Sequence, residues 1–170
     1  MIDEPTHKDR LQRPAAPAGL SEILQSKETE TEEAEASCKA FGYLRGIRDH
    51  ATSVEFRLQD GTSMFFPYGW MGTWQYNPSD GLLLKFSGDI VYLVLIRGSN
   101  LDKPLDEGVI DLTHAGLQRH RVLWIREMSE EEIRQVGETG PTIDSIQIAE
   151  FESHAALKEW LSKTAPAFVR

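Results

Sequence analysis

Over residues 54–59, apolar and polar positions alternate with a period of two. Val54, Phe56 and Leu58 are interleaved with Glu55, Arg57 and Gln59, the pattern of a strand with one face on a core and the other in water. Asp60-Gly61 then signals a hairpin turn, because glycine accepts positive φ. In SMFFPYGWMG, the side chains of Met64, Phe66, Tyr68 and Trp70 share one side of an extended segment. Pro67 cannot donate to a ladder and marks an edge, a bulge or a bend. With Gly69 and Gly72 beside it, this stretch has the features of a strand that curls. Residues 73–81, TWQYNPSDG, read as a loop. GLLLKF and IVYLVLIRG flank Ser87-Gly88-Asp89 as a second hairpin. The seven consecutive apolar residues 90–96 predict a strand covered on both faces, or on one with the other used for assembly.

The flanks follow other periods. In AFGYLRGIRDHA, Phe41, Leu44 and Ile47 fall three apart and predict an N-terminal helix, with a short strand as the competing reading. Residues 99–118 form a long connection in which VIDL is a candidate short strand, and RHRVLWIREM predicts a further strand. Ser129 and Glu132 have capping-box spacing, so a helix is expected from Glu130 to Gly137. SIQIAEF predicts a last strand, and SHAALKEWLSK a last helix with Leu157, Trp160 and Leu161 on one side. The fold class that follows is α+β and mainly β: a small, strongly bent antiparallel β-barrel or half-barrel with an N-terminal helix and C-terminal helices. Residues 1–37, proline-containing and then glutamate-rich, read as a flexible tail. Residues 38–170 read as one domain, with a β core over about 44–127 and a helix-strand-helix extension over 128–170.

Charge sharpens this division. Of the net −9, residues 1–37 carry −5 and residues 128–170 carry −4, while residues 38–127 are neutral. Binding DNA through many phosphate contacts is therefore not expected. The single cysteine, Cys38, precludes an internal disulfide framework. No run of eighteen apolar residues predicts a membrane span. The opening residues lack the apolar stretch of a secretory signal, so the cytoplasm is the expected compartment.

The corner at the end of the apolar strand reads I-R-G-S-N-L. Together with V-x-F-x-L-x-D-G at residues 54–61, it resembles the Sm-like proteins. In that family the first strand commonly reads V-x-V-x-L-x-D-G, and the fourth ends in I-R-G-x-N and an aliphatic residue. Val54, Phe56, Leu58, Asp60 and Gly61 match the first pattern. Ile96, Arg97, Gly98, Asn100 and Leu101 match the second. The resemblance covers about residues 44–101. The stretch TWQYNPSDGLLLKF departs from the family's D-x-x-M-N pattern, and about twenty residues separate the corner from the next strand. The resemblance implies a bent five-stranded barrel that assembles into rings and binds single-stranded RNA. On it, Arg97 would help hold a base, with Gly98 admitting the backbone closely. The other reading of Arg97 is a strand-end arginine paired with a loop carboxylate.

Six of the fifteen aromatic residues lie between positions 65 and 76. Phe66 and Tyr68 fit a core. Trp70, Trp74 and Tyr76 fit either a core or a contact surface for bases or for a proline-rich peptide. Arg119-His120-Arg121 reads as solvated strand charge, with a phosphate contact as its alternative. His114 and His120 lack further ligands at zinc spacing. Asp102, Asp106, Glu107 and Asp111 miss the calcium-loop pattern. There is no phosphate-cradling glycine loop, nucleophile elbow or His-Glu-x-x-His motif, so no catalytic residue, metal or cofactor is expected.

Three functions follow. The first is a non-enzymatic interaction module that binds a protein partner or forms a homo-oligomer. The second is a single-stranded RNA binder, and the third a small enzyme without a local motif. Arg97, Gly98, Asn100, Trp70, Trp74 and Tyr76 are the candidate contact residues.

Overall fold

The computed structural model describes residues 34–169. Most of the segment expected to be a tail lies outside them. Strand β1 (Glu35–Ser37) already belongs to a sheet. It is followed by β2 (Phe41–Leu44), β3 (Ser53–Arg57), β4 (Ser63–Pro67), β5 (Met71–Asn77), β6 (Gly81–Ser87), β7 (Val91–Ser99) and β8 (Val122–Arg126). Helix α1 (Glu130–Val136), β9 (Thr142–Phe151) and helix α2 (His154–Thr164) follow, and then a 3-10 turn, Pro166–Phe168. The class is mainly β with α-helices, as the alternation predicted.

The strands form two sheets, ordered β1-β2-β8-β3-β4 and β5-β6-β7-β9. Neither closes into the expected barrel. The bend anticipated at Pro67 is a single 3-10 turn, Tyr68–Trp70, that carries the chain from an edge of the first sheet to an edge of the second. The two sheets share one core, in which Phe66 of β4 stacks on Phe86 of β6 with centroids 4.6 Å apart.

Four further differences from the sequence reading have local causes. Phe41–Leu44 is a strand, not a helix: Phe41 and Tyr43 enter the core, while Gly42 lies beneath the Trp124 indole. The spacing that suggested a helix depended on Ile47, which is 69% exposed. One pair, β3–β8, is parallel. Such a pair needs a long connection, and here the chain builds most of the second sheet between them. Residues 71–77, partly read as loop, are a strand whose turn begins only at Asn77, where the side-chain Oδ1 accepts from Ser79 N–H. VIDL forms no strand and contributes one isolated bridge, Leu105 to Ile110.

Strand β7 is covered on both faces. Val94 and Ile96 face the inter-sheet core, whereas Leu93 and Leu95 belong to a second core with Leu157 and Leu161 of α2. The assembly alternative for that strand is thereby removed. α1 starts at Glu130 behind a complete Ser129–Glu132 capping box, and Ser129 and Glu132 bond each other reciprocally. Among the described residues, no helix is long and apolar enough to cross a membrane.

Candidate functional site

The glycine corner is internally satisfied. Arg97 Nη2 donates to the Thr164 carbonyl at 2.7 Å, in the last turn of α2, and Nη1 donates to Gln147 Oε1 at 3.2 Å. A cation at a helix C-terminus meets carbonyls that lack intrahelical partners. Gly98 follows a register shift in the β7–β9 ladder. A Cβ there would stand 1.9 Å from the Thr142 carbonyl oxygen, so the residue is small because another strand's backbone is against it. Asn100 adopts φ 56°, and its Nδ2 donates to the carbonyls of Glu138 and Gly140, both at 3.0 Å. Arg97, Gly98 and Asn100 thus tie β7 to α2 and to the loop before β9.

The three aromatic candidates divide. Trp70 is 41% exposed at the inter-sheet corner, with its ring lying over Gly88 of the β6–β7 turn. Trp74 and Tyr76 stand two apart on β5, half-buried. Trp74 meets the His114 ring edge-on at 5.6 Å. The Tyr76 hydroxyl donates to Asp102 Oδ1 at 3.0 Å. Burial, and then the Asp102 carboxylate beside it, push this phenol up to about 12.

What brings Trp74 and Tyr76 together is β5 itself, an edge strand of the second sheet. Sheet edges invite pairing with another chain, and proteins ordinarily blunt them with charge, proline or brevity. The other three edges here are blunted in those ways. β1 has three residues including Glu35, β4 ends in Pro67, and β9 carries exposed Asp144 and Glu150. Met71–Asn77 has neither charge nor proline, and its only irregularity is a register shift between Met71 and Trp74. A groove of about 470 Å³ runs along it, lined by Thr73–Asn77 together with Ala167 and Phe168. A narrower crevice of about 210 Å³ opens from Thr73 and Gln75 beneath α2, with Leu83, Lys85 and Leu161 in its walls. Thr73, Gln75 and Lys85 were not singled out from sequence. The polar-aromatic alternation T-W-Q-Y was the available signal.

Other clusters serve the fold. Arg121, expected to be solvated, is 1% exposed. It donates to four carbonyls, those of Leu44, Arg45, Val109 and Ala115. His120 stacks on Tyr68 at 4.4 Å, and burial together with the nearby His50 lowers its pKa. No group of three or more His, Cys, Asp or Glu side chains placed to hold a metal occurs among the described residues. Burial pushes the Cys38 thiol up, away from the reactive thiolate.

The chain was compared with family models, with curated proteins and with solved structures, and nothing in any of the three sets matches it.

Proposed function

We propose that this protein is a non-enzymatic interaction module that takes up an extended segment of a protein partner as an added strand along β5. The observation that carries the reading is the contrast between edges: three are blunted, and the fourth is neutral, proline-free and bordered by a groove. In strand addition, main-chain hydrogen bonds supply affinity, and pockets beside the edge select side chains. A neutral edge also suits an acidic chain, since it adds no repulsion to the approach of a partner. Base binding at the glycine corner would demand a free guanidinium, and that of Arg97 is engaged with Thr164 and Gln147.

The test is selection of extended peptides against the full chain from a displayed random library, followed by hydrogen exchange on the complexes. Slowed exchange of amides within residues 73–77, lost in a Thr73→Lys variant of unchanged melting temperature, is the expected result. Protection confined to another surface, such as the exposed Phe65 on β4, would place the contact elsewhere and refute the reading.

A further inference from the structure

We infer that the segment added at β5 presents a long apolar side chain, phenylalanine or methionine, with a carboxylate two residues away on the same face. This rests on the strand-addition reading and specifies its partner. The crevice shared with β5 is lined by Thr73 and Gln75, by the buried Leu83, Leu93, Leu157 and Leu161 that form its floor, and by half-buried Lys85 and exposed His154. Its volume of about 210 Å³ is below the roughly 300–1,000 Å³ typical of small-molecule pockets, and suits one side chain.

Reach selects which side chain. Neighbouring strands lie about 4.8 Å apart, so β6, which carries Leu83, stands two spacings, roughly 10 Å, from the axis of a strand added to β5. Alanine, valine and threonine stop short of that floor. Phenylalanine and methionine reach furthest toward it, entering past Thr73, whose side chain lines the opening and is small and exposed.

Charge selects the neighbour. Lys85 forms no salt bridge among the described residues, where four others occur. It is half-buried on β6 beside the leucine floor. Because residues i and i+2 of a strand share a face, a carboxylate two positions from the inserted side chain falls on the Lys85 side of the crevice.

The probe is a fluorescein-labelled, acetylated heptapeptide of alternating threonine and valine, with central phenylalanine and glutamate two residues before or after it. Matched peptides replace phenylalanine by asparagine, or glutamate by lysine. By fluorescence anisotropy on the full chain, loss of phenylalanine should weaken binding about tenfold or more. Glutamate to lysine should weaken it about three- to fivefold at low salt. A Lys85→Glu variant, with folding checked by circular dichroism, should reverse the charge preference and keep the phenylalanine preference.

Binding indifferent to both replacements, with residues 73–77 still protected from exchange, overturns this inference and leaves strand addition standing. Absence of binding by every peptide overturns both. Sedimentation showing a dimer that Thr73→Lys dissolves assigns the edge to a second copy of the chain and likewise overturns the inference.

Discussion

Arg97 and Thr164 stand 67 positions apart, and the guanidinium of one donates to the backbone carbonyl of the other at 2.7 Å. This contact explains why an apolar strand ends in an arginine. The side chain leaves β7 at the point where α2 terminates and supplies a donor to that helix's last turn. Arg97→Ala should therefore lower stability by about 1–2 kcal/mol. In hydrogen exchange, the loss should concentrate at the C-terminal turn of α2, with residues 73–77 unaffected. Denaturant melts and exchange profiles of the two proteins check this.

Arg121 is the larger structural commitment. A charged side chain is removed from water with no carboxylate in salt-bridge reach among the described residues, and four carbonyls take the place of solvent. These carbonyls come from the end of β2, the residue after it, the 105–110 loop and the π-helical turn Leu112–Leu117. Arg121→Met keeps the volume and abandons all four. At about 1–3 kcal/mol for each buried group left unpaired and unreached by water, the loss should be at least about 3 kcal/mol. Equilibrium urea unfolding measures it. A loss under about 1 kcal/mol would show that water replaces the guanidinium.

The Arg126–Glu132 pair gives stability a defined acid dependence. Both terminal guanidinium nitrogens of Arg126 reach the Glu132 carboxylate, at 2.6 and 3.3 Å, and Ser129 N–H adds a third donor. Arg126 first, then the Ser129 backbone, lower the Glu132 pKa from 4.5 to about 2. A depressed carboxyl stabilises the fold above its unfolded value, and that contribution fades as pH falls from about 4.5 through about 2. Melting temperatures of the native protein and Glu132→Gln should differ at pH 6 and converge near pH 2. A constant difference across that range would contradict the assignment.

Tyr76 reports on the candidate edge. Its phenol is held at about 12 by burial and by Asp102, so it should ionise well above an ordinary tyrosine in ultraviolet difference titration. Asp102→Asn removes the charge while keeping an acceptor, and the titration should move down toward the ordinary value of about 10. The same phenol makes a basic-side contribution. A raised folded-state pKa gives stability that is present below about 10 and lost as pH rises toward 12.

Local sequence carried much of the fold. The alternation at 54–58, the apolar runs on either side of Ser87-Gly88-Asp89, the Asp60-Gly61 turn, the capping box at Ser129 and the amphipathic last helix all form where their residue patterns place them. Each of these is decided within a few residues, by side-chain alternation, positive φ or a short hydrogen bond. Strand β5 was only half legible, since T-W-Q-Y alternates but lies against a turn-rich N-P-S-D-G.

Tertiary structure decided the rest, because those outcomes depend on partners far along the chain. Gly42 has no side chain because the Trp124 indole occupies the space above it, and Gly98 is small because Thr142 lies against it. The parallel placement of β8 beside β3, and the burial of Arg121 under four carbonyls from three segments, leave no trace in local periodicity. Nor can composition say that β5 is an edge: the same seven residues between two other strands would offer no surface. Alternation specifies that a strand exists and which face is apolar, whereas the order of strands in a sheet is set by packing of the whole chain.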